Sequence, residues 1–307
     1  MQLTQEQERQ VWLSERKKGI GGSDVAAILG LSKYRTPLDI YNDKLGLAPE
    51  RPLNSAMMAG VMLEDTVARW YMAETGRKVI KANQMRTHKS IPFLLANLDR
   101  VILPVAEHKG RGVLEVKTAG QWAAANWENE PPIEYVLQIQ HYFDVTGYEW
   151  GEFAVLIAGQ EFRRYFQERD QTIIDMKNEL LVKFWNENVI AQVPPQPINS
   201  EDLQKYVKAK SGKIIEAVIE NEQTIKELRV IKAHIKELEA QKDNLEERIK
   251  LLMGDAEILE YMGQTLCTWK ANKVSQMFDS KKFAADHPEL YAEYLKDKAT
   301  SRTFLIK

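Results

Sequence analysis

Asp99, Glu115 and Lys117 are the residues of this chain whose types and spacing most suggest chemistry. Glu115 and Lys117 lie two apart in "LEVKTAG", residues 114–120, where Leu114, Val116 and Thr118 alternate with them. Such alternation reads as a half-buried strand, so both charged groups project from one side of it. Sixteen residues before Glu115, Asp99 stands in "ANLDR", near the end of another apolar segment. Glu64, in "GVMLE", sits on a predicted helix. Two carboxylates from neighbouring strands, a lysine beside them and an acid from a helix suit phosphodiester hydrolysis. Hard oxygen ligands hold Mg²⁺ while the ion keeps several waters. Such an ion polarises a phosphate and activates water, and a nearby lysine orients that water and balances the developing charge. Taken alone, a Glu-x-Lys on a strand is ordinarily a solvated cross-strand pair, and Asp99 adds only modestly to it.

The elements that must position these groups read as follows. Residues 4–17 are predicted helical, followed by a glycine-rich turn and a short helix in "GIGGSDVAAILGLSKY", capped by Ser23 or Asp24. "TPLDIYNDKLG" gives a second short helix and residues 55–75 a longer one. Three or four strands follow in "KVIKANQMRTH", "IPFLLANLDRVILP" and "GVLEVKT". Helices resume at 121–129 and 133–146, a hairpin occupies "EWGEFAVLIAG" and "EFRRYFQE", and a helix covers 169–190. Strand runs between helices predict an α/β (α+β) core over residues 1–191.

"QVPPQPINS", 192–200, has three prolines in four residues and reads as a linker. From 201 to 307 the texture changes. Between Ser211 and Met253 there is no proline, and apolar residues recur in steps of three and four from Ile214 to Leu252, with a stammer-like step at Leu228–Ile231. About 40 residues of helix would run about 60 Å, a coiled-coil-like stalk that either dimerises or packs on its own domain. A β-hairpin turning near Gly263, two short helices meeting at Pro288 and a closing strand in "SRTFLIK" complete the extension.

Bulk properties narrow the classes. The chain has 307 residues, a net charge of −2 and one cysteine, Cys267. One cysteine excludes an intrachain disulfide and a cysteine-held zinc or iron–sulfur cluster within one chain. No apolar run is long enough to span a membrane, and the N-terminus lacks the apolar core of a signal peptide, so cytoplasmic residence is expected. The near-neutral charge counts mildly against nucleic acid as a partner, although a basic groove and an acidic metal site cancel in the sum.

Asp99 followed by "LEVK" is the pattern of the PD-(D/E)xK nucleases. "WLSERKKGIGGSDVAAILG", "GVMLED", "ANLDR", "LEVKT" and "YVLQIQHYFDVTG" occur in the order seen in YqaJ-type viral recombinases, relatives of phage lambda exonuclease, and the resemblance covers about residues 8–190. It implies a PD-(D/E)xK restriction-endonuclease-like core and a 5′→3′ exonuclease on linear duplex DNA ends, dependent on Mg²⁺ or Mn²⁺. It further implies Asp99, Glu115 and the carbonyl of Val116 as metal ligands, Lys117 as the group that positions water, and Glu64 as support for the metal. Gln138 matches a glutamine near the active site, with Tyr142 one turn on. Arg16 and Ser23 match residues that hold the 5′-phosphate. Such a nuclease leaves a 3′ single strand for an annealing protein in a phage or prophage system of a bacterial host, and by resemblance assembles as a ring-shaped trimer.

Two departures stand out. Leu98 and Arg100 flank Asp99 where the family pattern has proline and glycine, and lambda exonuclease has nothing like residues 200–307. That extension is read as an oligomer or partner contact in preference to DNA binding through Lys205, Lys208, Lys210 and Lys213, since such a charge run is ordinarily a solvated face. A structural role is expected for His141, no ligand role for His88 and His108, and core or interface positions for Trp12, Trp70, Trp122 and Trp127. The other functions considered are a structure-specific endonuclease of the same fold and a non-catalytic DNA-end-binding or assembly protein.

Overall fold

A computed structural model of the chain describes residues 11, 13–48, 54–82, 84–207, 210–273, 276–296 and 303–306. Of the helix expected over 4–17, residues 11 and 13–17 are helical and the remainder lies outside the described residues, as do Trp12 and Lys208. The chain divides into two compact units, one ending at Val207 and one beginning at Lys208.

In the first unit the chain runs β1 (Ile20–Gly21), α1 (Gly22–Ile28), α2 (Pro37–Lys44), α3 (Ser55–Thr75), β2 (Val79–Lys81), β3 (Arg86–Thr87), β4 (Leu94–Ala96), β5 (Arg100–Ile102) and β6 (Gly112–Ala119). A 3₁₀ turn at Gln121–Trp127 then leads to α4 (Ile133–Thr146), β7 (Trp150–Ile157), β8 (Glu161–Glu168), α5 (Gln171–Phe184) and α6 (Ser200–Tyr206). Helix α3 begins where the Asn54 side chain accepts from Met57 N at 2.9 Å, and it ends at Gly76. The φ of Gly76 is 68°, a left-handed conformation that favours glycine.

The central sheet has the order β2-β5-β6-β7-β8. β6 and β7 are parallel and the other pairs antiparallel. The parallel pair requires a crossover, which the 3₁₀ turn and α4 supply. Strand β7 is buried along all eight residues, including Glu152, whose carboxylate pairs with Arg77. One sheet face packs Leu114, Val116, Ala154 and Leu156 against Val67, Ala68 and Tyr71 of α3. The other packs Val113, Phe153, Val155 and Ile157 against Leu137, Ile139 and Phe143 of α4 and against α1. Burying a side chain such as Phe153 contributes about 2–3 kcal/mol.

The apolar segment "IPFLLANLDRVILP" is two strands, not one. β4 pairs with β1 and β3 in a separate three-stranded sheet, while β5 joins the central one. Asp99 therefore occupies the bend between them, next to the start of β5. The proline-containing stretch after Gln192 does not part the two units. Beyond it α6 docks on the first unit, where Asp202 is 0% exposed and accepts from Thr36 Oγ1 at 2.7 Å. Tyr206 donates from its hydroxyl to Asp39 Oδ1 at 2.6 Å. Lys205 of the expected basic run is drawn to Glu201 at 2.6 Å and Asp39 at 3.8 Å.

The second unit contains α7 (Ile219–Met253), the hairpin β9 (Ile258–Tyr261) and β10 (Gln264–Thr268), then α8 (Ser280–Asp286) and α9 (Pro288–Glu293). The hairpin and the paired short helices match the sequence reading. The long helix is 35 residues and starts later than expected, at Ile219 after an N-cap at Val218 in extended conformation. Its apolar residues Ile231, Ile235 and Leu238 are about half exposed. Residues 303–306 of the expected closing strand are not in a strand. No described helix is long and apolar enough to cross a membrane.

Candidate active site

β6 carries Glu115 and Lys117 on the α4 side of the sheet, opposite Phe153 and Val155 of β7. Both reach Gln138 on α4. Glu115 Oε1 accepts from Lys117 Nζ at 2.7 Å and from Gln138 Nε2 at 2.6 Å. Lys117 Nζ also donates to Gln138 Oε1 at 3.2 Å. Gln138 Nε2 donates in addition to the Tyr142 hydroxyl at 2.9 Å. The Lys117 ammonium lies over the Tyr135 ring, 4.7 Å from its centre, an attractive placement for a cation. Asp99 enters from the neighbouring bend, with Oδ2 accepting from Val116 N at 2.9 Å. Asp99, Glu115, Val116, Lys117, Gln138 and Tyr142 are thus brought together.

Electrostatics mark the cluster. Burial pushes the Asp99 carboxyl well above the usual carboxylate range, and the Glu115 carboxylate beside it adds to the shift. Burial raises Glu115 too, against the pull of Lys117. For Lys117 burial acts downward, but Glu115 and Asp99 outweigh it and hold the ammonium protonated above its ordinary value. Tyr142 is raised well above the ordinary phenol range by burial and by Glu115 and Asp99, and so stays neutral.

Glu64 on α3 lies close enough for its charge to raise both Asp99 and Glu115, and it is paired with Arg100. Arg100 NH1 pairs with Glu64 Oε1 and donates to the Asp99 carbonyl at 2.7 Å, while NH2 reaches Asp65 Oδ1 at 3.0 Å. The departure noted beside Asp99 is therefore a buried guanidinium that ties α3 to the bend carrying Asp99. Arginine in place of glycine signalled a difference; its partners were not readable from spacing.

Glu115 Oε2 is buried and takes no N–H donor, and the Asp99 carboxyl, whose charged form is disfavoured by burial, lies within hydrogen-bonding reach of Glu115. Both features fit a cation held between Asp99 and Glu115. Among the described residues no group of three His, Cys, Asp or Glu side chains stands at metal-ligating spacing. Two carboxylates and the Val116 carbonyl are a set that suits Mg²⁺ with waters completing its shell.

Arg16 and Ser23 are also in contact, with Arg16 NH2 donating to Ser23 Oγ at 3.0 Å. Beneath them Asp24, 0% exposed, accepts from Lys44 Nζ at 2.6 Å and Arg35 NH1 at 3.1 Å, with Arg16 NH2 at 3.8 Å. Burial alone would raise Asp24, yet the three cations hold it well below the usual range. Arg35 NH2 also pairs with Asp43 Oδ2 at 3.1 Å, so three cations and two carboxylates gather beside the exposed Ser23. Arg35 and Lys44 were not singled out from sequence, since only the fold brings them to Asp24. The cluster abuts the acidic site through Gly22, where a Cβ would stand 2.5 Å from Tyr142 Cε1 and 3.0 Å from Gln138 Cγ. Only glycine permits that approach of α1 to α4.

Other expectations sort simply. His141 Nε2 is 3.0 Å from the Leu95 carbonyl, inside the core. His88 Nδ1 accepts from Ile91 N at 2.9 Å, and His108 stacks on Trp150 at 4.5 Å. Trp127 is 2% exposed and Trp70 stacks on Phe162 at 5.2 Å. Trp122, expected in the core or an interface, is 99% exposed in this chain. It occupies a 3₁₀ turn whose buried place goes to Trp127.

Residues 11–149 match the YqaJ-like viral recombinase domain. A Bacillus subtilis (strain 168) protein named "Uncharacterized protein YqaJ" is 37% identical over 311 residues, 98% of this chain and 95% of that one. The crystal structure of an alkaline exonuclease, LHK-Exo from Laribacter hongkongensis, superposes with a TM-score of 0.51 at 22% identity, covering 60% of this chain and 94% of that one. The same enzyme in complex with dAMP superposes equally, at 23% identity. The fold is therefore the PD-(D/E)xK fold of these exonucleases.

Proposed function

Since the chain belongs to the YqaJ-like viral recombinase family, we propose that it is a divalent-metal-dependent 5′→3′ exonuclease acting on ends of linear double-stranded DNA. The observation that carries this reading is the convergence of Asp99, Glu115, Lys117 and Gln138, with the Asp99 carboxyl buried within hydrogen-bonding reach of Glu115. Two buried acids that share a proton form a site that a divalent cation can take over.

Asp99, Glu115 and the Val116 carbonyl would hold Mg²⁺ or Mn²⁺, which when bound supplies Lewis-acid chemistry at the phosphate. Lys117 orients the attacking water and offsets the negative charge of the pentavalent state. Gln138 fixes both partners, since its amide donates to Glu115 and accepts from Lys117. Tyr142, neutral and bonded to Gln138, braces that amide. Glu64 supports the acidic site through Arg100. Arg16 and Ser23, with Arg35 and Lys44 behind them, hold the 5′-terminal phosphate by charge and hydrogen bonding.

Removal of one strand from the 5′ end leaves a 3′ single strand, the substrate of a strand-annealing protein in phage-type recombination. The working assembly in this reading is a ring-shaped trimer in the cytoplasm of a bacterial host. The test is digestion of linear duplexes labelled at either 5′ or 3′ end, with and without a 5′-phosphate, beside closed circles. Release that starts at phosphorylated 5′ ends and spares circles is expected. Cutting of circles would replace the reading with an endonuclease.

A further inference from the structure

The Gln121–Trp127 turn follows directly on β6, the strand of Glu115 and Lys117, and it treats its two tryptophans oppositely. Trp127 is 2% exposed and Trp122 is 99% exposed. The turn is not a loose loop. Ala123 N donates to the Gly120 carbonyl at 3.0 Å, and Arg163 NH1 donates to the Trp127 carbonyl at 2.7 Å, as does the Tyr165 hydroxyl. Trp127 stacks on Tyr135 with centres 5.2 Å apart, and Tyr135 is the ring that lies beneath the Lys117 ammonium. The turn is thus fastened to the residues that hold the lysine.

The fixed turn holds an indole bare, exposing roughly 200 Å² of aromatic surface. The chain path from Lys117 to Gly120 is about 10 Å of strand, or about three base steps of DNA. Three alanines follow Trp122 and are too small to cover its ring. Its turn-mates Gln121 and Asn126 are exposed and polar, so no apolar patch surrounds the ring. An isolated flat ring five residues along the chain from Lys117 suits a base, and stacking on it tolerates any sequence.

We propose that Trp122 is a stacking platform for an unpaired nucleobase a few positions from the scissile phosphate. The proposal rests on the nuclease reading above. It is tested with the full chain in a Lys117→Ala background in Mg²⁺. The probe is a 5′-phosphorylated duplex with a frayed end that carries 2-aminopurine at successive positions. Quenching at one or two positions is expected, lost with Trp122→Ala and kept with Trp122→Phe. The Kd for the frayed duplex should rise about tenfold with Trp122→Ala. Equal quenching and affinity in Trp122→Ala would overturn the platform while leaving the nuclease reading intact. A change in sedimenting mass with unchanged DNA affinity would overturn it in favour of a protein contact. Failure of the unsubstituted chain both to bind and to cleave DNA would bring down the nuclease reading and the platform with it.

Discussion

Gln138 Nε2 lies 2.6 Å from Glu115 Oε1, the same oxygen that Lys117 reaches at 2.7 Å. One carboxylate oxygen therefore takes both of these N–H donors, and Glu115 also lies within hydrogen-bonding reach of the Asp99 carboxyl. Gln138 also accepts from Lys117, so the amide fixes the spacing of the acid and the ammonium together.

Replacing that amide should therefore impair turnover more than binding. A hydrogen bond to a charged group is worth about 1.5–3 kcal/mol, so Gln138→Leu should lower kcat by about 10- to 100-fold. KM for linear duplex should change little. Steady-state digestion of a 5′-phosphorylated duplex measures both parameters, and an equal rise in KM would assign Gln138 to DNA binding instead.

Proton binding at Asp99 should oppose metal binding. Its carboxyl is raised well above the ordinary range by burial first and by Glu115 second. The folded, metal-free chain thus holds a proton that the unfolded chain has already lost. In the window above the ordinary carboxylate value, the stability of the metal-free chain falls as pH rises toward the raised value. A cation relieves that cost, so the Mg²⁺-induced rise in Tm should grow with pH across the window. Asp99→Asn should abolish both the metal-induced shift and its pH dependence in thermal melts.

His141 should make the core acid-sensitive. Burial first, and Lys177 second, lower it from 6.5 to about 3, so it is neutral in the fold and protonates first in the unfolded chain. This contribution is whole above pH 6.5 and is lost as pH falls toward 3. The slope approaches about 1.4 kcal/mol per pH unit within that window. Urea unfolding at pH 7 and pH 5 should show a steeper loss for the wild type than for His141→Asn.

Local pattern was enough to place Glu115 and Lys117, because alternation along one strand dictates their common side. The helix at Ser55–Thr75 was equally legible from the helical spacing of its apolar residues. What escaped the sequence depends on contacts between distant segments. Arg100 meets Glu64 only because β5 lies beside α3. The burial of Asp202 depends on Thr36, 166 residues away, so the proline-containing stretch resembled a boundary that the chain crosses before α6 docks. The split of "LLANLDRVI" between two sheets likewise follows from the pairing of β4 with β1 and β3. The exposure of Trp122 was hidden for a related reason, since either tryptophan of "QWAAANW" could have filled the single buried place.

The central claim is that Asp99, Glu115 and Lys117 hydrolyse DNA rather than decorate a sheet. The most direct measurement is degradation of 5′-phosphorylated linear duplex in Mg²⁺ and in EDTA by the wild type and by Lys117→Ala, with DNA binding recorded for both. The account predicts metal-dependent loss of the phosphorylated strand by the wild type, and retained binding without cleavage by Lys117→Ala. Undiminished cleavage by Lys117→Ala, or binding without cleavage by the wild type in Mg²⁺ and Mn²⁺ alike, would contradict it.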